Sequence, residues 1–347
     1  MDFVKQIVGI DISKSELVCK AGRIAVDQTI EILSTAKLSN DLAGFEQLVS
    51  WAKKHLAASD LDLIFVMEAT GVYYESLAYY LQSRDLDVCV LLPNKVKHFG
   101  QTLKIKSKTD SLDAEVILRI GLERKLSLWK PASAQMRAIR VLTREQAEIK
   151  RKRTATKNQL HARESAFGVP GSSIDRLKEQ IALLDRQLQA IETELKELVA
   201  KDKELETRIE KLQSIPGLGF NTIVSIIGET HGFALVRSSK QLVSYAGLDV
   251  VHKESGNWKG KSSISKKGNK YIRAAVYMPA LASIKYNPGV KPFYERLCER
   301  KAARKIGVTA VARKLLVWMY TLWKTGDVFD PVKAMGKSPQ ISSLSAG

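Results

Sequence analysis

Ile7-Val8-Gly9-Ile10-Asp11-Ile12-Ser13-Lys14-Ser15-Glu16-Leu17-Val18-Cys19-Lys20-Ala21 is the stretch that decides the fold. The uninterrupted apolar run Ile7–Ile10 reads as a strand buried on both faces. Ser13-Lys14 then supplies a turn, and Glu16–Ala21 reads as the antiparallel neighbour. Leu42–Lys54 has helical periodicity, Asp62–Met67 reads as a central strand and Tyr73–Gln82 as a helix. Val88–Leu92 is a further strand closed by Pro93-Asn94, and a helix follows through Asp113–Glu123.

Strand, hairpin, helix, strand, helix, strand, helix is compatible with an RNase H-like α/β layer sandwich over residues 1–130. Residues 131–213 are different material. Gln135–Ala166 is helical and very basic, as in Lys150-Arg151-Lys152-Arg153. After the breakers Gly168-Val169-Pro170-Gly171, the residues Ile174, Leu177, Ile181, Leu184, Leu188, Ile191, Leu195 and Leu198 step alternately by three and four. That is a heptad seam, and it needs a partner helix, either in an antiparallel hairpin or from a second subunit. The pattern resumes at Leu205, Ile209 and Leu212, with Asp202 at the skipped position; Ser172 and Ser173 are candidate N-caps for the seam helix. Residues 214–332 read as mostly helical, and the Ser/Gly/Pro-rich tail 333–347 as disordered.

The formal net charge is +18 over 347 residues, and it is uneven: residues 240–330 hold 18 Lys and Arg against 6 Asp and Glu. A globular chain this basic points to a polyanion, nucleic acid first. The cysteines Cys19, Cys89 and Cys298 are scattered, so neither a zinc site nor a disulfide framework follows, and a reducing cytoplasm is expected. Met1–Gln6 lacks a signal-peptide pattern and no apolar run is long enough to span a membrane.

Four carboxylates carry the chemistry. Asp11 and Glu68 stand where apolar strands run out, at a sheet edge. Asp110 and Asp113, three apart after Lys104, Lys106 and Lys108, share one helix face. Acids at four such places beside basic residues are expected to hold a divalent cation, Mg²⁺ or Mn²⁺, because unpaired carboxylates repel. The bland alternative for the helical pair is a helix N-terminus stabilised by acids.

Two further segments point to nucleic acid. Ser214-Ile215-Pro216-Gly217-Leu218-Gly219 before the apolar helix Thr222–Ile227 has the shape of a helix-hairpin-helix element, whose turn amides at Gly217 and Gly219 can hold a phosphate. The run from Lys253 to Arg273 is dense in Lys, Ser and Gly with one aromatic, Trp258. Its Lys259, Lys261, Lys266, Lys267, Lys270 and Arg273, with Lys108 upstream, are candidate phosphate contacts. A serine here could serve as a nucleophile among these cations, and the residues alone do not choose among Ser255, Ser262, Ser263 and Ser265.

Gly9-Ile10-Asp11, Glu68-Ala69-Thr70-Gly71, Lys108-Thr109-Asp110-x-x-Asp113-Ala114, Ser214–Gly219, Tyr245-Ala246-Gly247-Leu248, Glu254-Ser255-Gly256, Ser265-Lys266-Lys267-Gly268-Asn269 and Tyr277-Met278-Pro279-Ala280 follow one another in this order. The set resembles the DEDD transposases of the insertion-sequence one-ten family, relatives of the Piv DNA invertases, across about residues 5–330. The resemblance implies a RuvC-like N-terminal domain, a coiled coil and a C-terminal transposase domain. It implies that Asp11, Glu68, Asp110 and Asp113 bind metal and that Ser255 is the nucleophile of a covalent serine–DNA intermediate. It implies DNA donor and target, a homodimer or homotetramer, and a bridge RNA encoded by the element that guides the reaction. The rival expectations are a junction-resolving nuclease using water and a non-catalytic nucleic-acid scaffold.

Overall fold

The computed structural model describes residues 2–56, 61–103, 109–251, 254–255, 258–260, 263–300 and 303–332, which fall into two compact units divided between Pro131 and Ala132. In the first unit β1 (Phe3–Ile12) pairs antiparallel with β2 (Glu16–Ala25), and β2 with β3 (Ile30–Ser39). After α1 (Leu42–His55), β4 (Leu63–Glu68) joins β1 in parallel. After α2 (Glu75–Gln82), β5 (Asp87–Leu91) joins β4 in parallel. The sheet order is β3-β2-β1-β4-β5, closed by α3 (Pro93–Thr102) and α4 (Asp110–Glu123). An antiparallel meander followed by two parallel strands added on the other side of β1 is the RNase H-like layout.

Alternation along β1 sorts its two faces. Val8, Ile10 and Ile12 pack with Phe65, Met67, Phe45 and Leu77 in the layer beneath α1 and α2. Ile7 packs with Val66, Leu91 and Ile117 on the opposite face, against α3 and α4. Two glycines let α4 lie close to the sheet. A Cβ on Gly9 would stand 2.4 Å from the Leu118 backbone nitrogen, and one on Gly121 would stand 2.7 Å from Ile7. With Gly121 over Ile7 and Leu118 over Gly9, α4 runs antiparallel to β1, and its first turn points toward the end of β1 that carries Asp11.

Two elements of this unit were not expected from the sequence. Pro93-Asn94 does end β5, but Pro93 is also the first residue of α3, where its fixed φ and missing N–H cost nothing. The β3 strand, which was not expected, completes the meander as a partly exposed edge.

The second unit begins with two long helices, α5 (Ala134–Glu164) and α6 (Gly171–Ala200). Gln135 reaches the Leu198 carbonyl at 2.8 Å, Arg153 pairs with Asp185, and Arg163 with Ser173, so the pairing is antiparallel. The seam expected over 174–198 therefore finds a partner within the chain. Leu177, Leu184, Ile191 and Leu195 are buried. Burial is worth roughly 1.5–3 kcal/mol per side chain, against about 0–1 for an exposed ion pair, so the seam holds the hairpin. Neither Ser172 nor Ser173 caps α6: the N-cap is Pro170, and the Ser173 hydroxyl accepts from Arg163 instead. Asp202 interrupts the seam because it caps α7 (Lys203–Gln213), its carboxylate accepting from Leu205 N at 3.0 Å.

Next come α8 (Phe220–Thr230), α9 (Ser239–Tyr245) and four short strands: β6 (Val250–Val251), β7 (Glu254–Ser255), β8 (Trp258–Lys259) and β9 (Ser263–Ile264). β6 pairs with β9 and β7 with β8, both antiparallel. The chain continues through α10 (Lys270–Tyr286), α11 (Lys291–Arg300) and α12 (Arg304–Thr325). Ile223, Ile227, Phe233, Val276, Leu315 and Trp323 share one core. Among the described residues, no helix is long and apolar enough to cross a membrane.

Candidate acid centre and nucleic-acid interface

Asp11 lies two residues beyond Gly9 on β1, hence on the face toward α4. Glu68 ends β4 on the same face as Val66, one step past the last β1–β4 pair, Ile10 with Met67. Because β1 and β4 are parallel, the two acids are neighbours at one end of the sheet. Asp110 and Asp113 occupy the first turn of α4, which Thr109 caps by accepting from Leu112 N at 3.3 Å. The packing of α4 on Gly9 brings that turn to the same end.

The electrostatics register the gathering. The Asp11 carboxyl is pushed up from 3.8 to about 6, first by burial and then by repulsion from Asp113, Asp110 and Glu68, with its Ile12 backbone hydrogen bond opposing. Yet among the described residues no three His, Cys, Asp or Glu side chains stand close enough to hold a metal ion. The two observations have different ranges. Charges interact over many ångströms, whereas Mg²⁺ needs oxygens at about 2.0–2.1 Å. The four acids converge on one end of the sheet without closing into a ligand set.

Neighbouring groups shape the site. The Thr70 hydroxyl donates to Glu68 Oε1 at 3.2 Å, and Gly71 follows in the left-handed region at φ 58°. Asn40 Nδ2 donates to the Ser13 carbonyl at 2.8 Å and to the Tyr73 carbonyl at 3.3 Å, tying the β1–β2 turn to the loop after Glu68. Lys37, on β3, pairs with Glu16 at 2.7 Å, which raises its pKa, and Asp110 adds to the rise. Lys37 and Asn40 were not picked out from the sequence. No clear sequence signal marks Lys37, because its strand at 30–39 is partly wet on both faces.

The other candidates fall in the second unit, apart from Lys108. Lys108, Lys261 and Ser262 lie outside the described residues. Ser255 is on β7, its backbone paired with Trp258, and Lys259 is on β8 opposite Glu254. Lys266, Lys267 and Lys270 are exposed around the start of α10. Arg273 donates through Nη1 to the carbonyls of Ala246 at 2.8 Å and Gly268 at 3.0 Å, so its guanidinium is partly engaged in holding backbone. Gly217, at φ 98°, is pressed against α10: an added Cβ would stand 2.2 Å from Ser283 Oγ, which itself donates to the Pro216 carbonyl at 2.8 Å. Gly219 is the N-cap of α8 and faces open space. Sequence reasoning also missed Glu229, a buried acid at the end of an apolar helix.

Fold and site together define an RNase H-like protein with four carboxylates at one end of its central sheet. Residues 8–163 match the family described as Transposase, DEDD_Tnp_IS110, and residues 209–295 match the family described as Transposase IS116/IS110/IS902. The chain is 30% identical over 335 residues to the pilin gene-inverting protein of Moraxella lacunata, covering 94% of this chain and 98% of that one. It is 29% identical to the pilin gene-inverting protein of Moraxella bovis with the same coverage. It is 24% identical to the transposase for insertion sequence element IS1111A of Coxiella burnetii, covering 57% and 59%. A solved structure of T. thermophilus RuvC with a Holliday junction substrate is 12% identical, spans 36% of this chain and all of that one, and has a TM-score of 0.26. The chain belongs to the IS110 family of DEDD transposases, enzymes of DNA recombination.

Proposed function

We propose that Asp11, Glu68, Asp110 and Asp113 are the strand-cleavage centre of a DNA recombinase and bind Mg²⁺, or Mn²⁺, in the working state. The observation that carries this is the convergence of three acids on a half-buried Asp11, whose pKa they help push up to about 6. All-oxygen, anionic donors suit a hard divalent cation, which would relieve their repulsion and supply charge stabilisation at a scissile phosphate. Closing the ligand set requires the acids to draw together on the ion. The names of the two Moraxella relatives describe inversion of a gene, which supports recombination rather than degradation.

Two nucleophiles fit. The four acids sit in one unit and need no other side chain for attack by water, and the geometry by itself supports this nuclease reading. The covalent reading rests on the match of Glu254-Ser255-Gly256 to the family pattern. In it, a bond forms from Ser255 Oγ to phosphorus as the bond to the leaving deoxyribose oxygen breaks, and the serine proton ends on that oxygen. The ester conserves the bond energy, so rejoining needs no ATP. Lys259, Lys266, Lys267 and Lys270 would bind phosphates of donor or target DNA or of a guide RNA, and assembly as a dimer or tetramer follows the same family pattern.

The test is an adduct trap. Wild type and Ser255→Ala are expressed with the DNA flanking the gene and its transcripts, then denatured in SDS. An adduct in wild type alone establishes the serine route. Cut DNA without adduct in both establishes water. Neither product, with DNA still bound, leaves a scaffold and refutes the proposal.

A further inference from the structure

We propose that Glu229 is a positioning residue that fixes the base of the segment carrying Ser255; this rests on the serine reading above. Glu229 lies in the last turn of α8, where the helix dipole disfavours an anion, and it is 3% exposed. Arg144, from α5, grips it with two bonds: Nε to Oε1 at 2.6 Å and Nη2 to Oε2 at 2.8 Å. Asn269 Nδ2 donates to the same Oε2 at 2.6 Å, and the Tyr245 hydroxyl donates to the Glu229 carbonyl at 3.2 Å. The buried carboxylate thus ties α5 and α8 to Asn269 on the far side of the serine segment, while the Glu229 main-chain carbonyl holds Tyr245 on the near side.

Those residues form a base of two neighbouring segments joined by hydrogen bonds. Asn269 N donates to the Tyr245 carbonyl at 2.7 Å, and Lys266 N to the Gly247 carbonyl at 3.1 Å. Ser265 Oγ donates to Asp249 Oδ1 at 2.6 Å. Val250 pairs with Ile264 just above. Lys266 is held at φ 54°, a conformation that costs a non-glycine residue free energy unless its surroundings impose it. A Cβ on Gly268 would stand 2.5 Å from the Tyr245 carbonyl oxygen, so the two segments pass in close contact there. An ion pair between a buried carboxylate and a part-exposed arginine is weak evidence for stability, since apolar packing serves as well. Its use here is to set the direction in which the chain leaves Asp249 and returns at Ser265.

Asn269 allows the tether to be cut cleanly. Its Oδ1 also caps α10, accepting from Tyr271 N at 2.9 Å and Ile272 N at 3.2 Å. Asn269→Asp keeps the cap but sets a second carboxylate against Glu229, and Asn269→Ser keeps the cap without reaching Glu229. Full-length wild type, both variants, Glu229→Gln and Ser255→Ala are assayed for cleavage of duplex DNA carrying the gene's flanks, with its transcripts. The expected result for Asn269→Asp at pH 7.5 is a kcat at least tenfold lower and a KM for DNA within threefold, with a melting temperature lowered by the facing carboxylates but still above the assay temperature. Its lost rate should return as pH falls and the facing carboxyls share a proton, whereas that of Asn269→Ser should not. If these variants fail to fold, Arg144→Lys, which keeps the charge but loses the two-bond grip, should still lower kcat. Wild-type kcat in folded Asn269→Asp and Glu229→Gln, or in Arg144→Lys, with Ser255→Ala inactive, overturns the positioning role alone. Wild-type cleavage by Ser255→Ala overturns the serine reading and the proposal with it.

Discussion

Asp11→Asn should make the metal-free protein more stable while removing its activity. The Asp11 carboxyl is raised from 3.8 to about 6. A rise of about two units corresponds to roughly 3 kcal/mol at about 1.4 kcal/mol per unit. Asp11 is only half-buried, so solvent screening reduces this to about 1–2 kcal/mol. The sign follows from linkage: the folded state holds the proton more tightly than the unfolded chain, so the penalty is present in full above about pH 6. It shrinks as pH falls from there toward 3.8, where the unfolded group also takes its proton. In EDTA at pH 8 the Asn variant should melt about 3–6 °C above wild type, and the gap should close near pH 4. Scanning calorimetry across pH 4–8 measures both. An Asn variant less stable than wild type at pH 8, or a gap independent of pH, would refute the electrostatic reading of the site.

Other expectations concern the frame around the sites. Gly9→Ala, which drives a Cβ into the Leu118 backbone, should destabilise the first unit by about 1–3 kcal/mol or more in urea unfolding. Gly219→Ala, facing open space, should stay within about 0.5 kcal/mol. Leu184→Ala should cost about 2–5 kcal/mol by opening a cavity in the α5–α6 seam, and a loss under 1 kcal/mol would show the seam is not what holds the hairpin. His231 is held neutral, its pKa lowered to about 4 first by burial and then by Arg140. Its ring resonances should not titrate between pH 8 and 5, and the stability it contributes above about pH 6.5 should fall away as pH drops toward 4.

The buried strands were legible because continuous apolar runs such as Ile7–Ile10 and Leu63–Met67 have few other uses. β3 was not, because Ile-Glu-Ile-Leu-Ser-Thr-Ala-Lys-Leu-Ser is an edge strand whose two faces are both partly wet, which blurs its alternation. Missing β3 meant missing Lys37. α3 was not legible because Pro93-Asn94 marks the end of β5, and the same proline also opens the first turn of a helix. The seam over 174–198 was plain, but periodicity states that a partner is needed and not which one; α5 supplies it through contacts no spacing encodes. The four acids could be singled out because they end elements. That they converge depends on Gly9 and Gly121 admitting α4 close to β1, which is a matter of packing. Glu229 escaped notice because one acid at the end of an apolar helix looks like a solvated cap until its burial is seen.

The most direct test of the acid centre is cleavage of flanking DNA by wild type and by Asp11→Asn, Glu68→Gln, Asp110→Asn and Asp113→Asn. Each is assayed with Mg²⁺, with Mn²⁺ and in EDTA, alongside DNA affinity. The account predicts cutting by wild type with either ion and none in EDTA. Each amide variant should lose cutting by a factor of at least a hundred while binding DNA within about threefold of wild type, since one charge among many phosphate contacts changes affinity little. Cutting that persists in EDTA, or in any variant that keeps its fold, would contradict it.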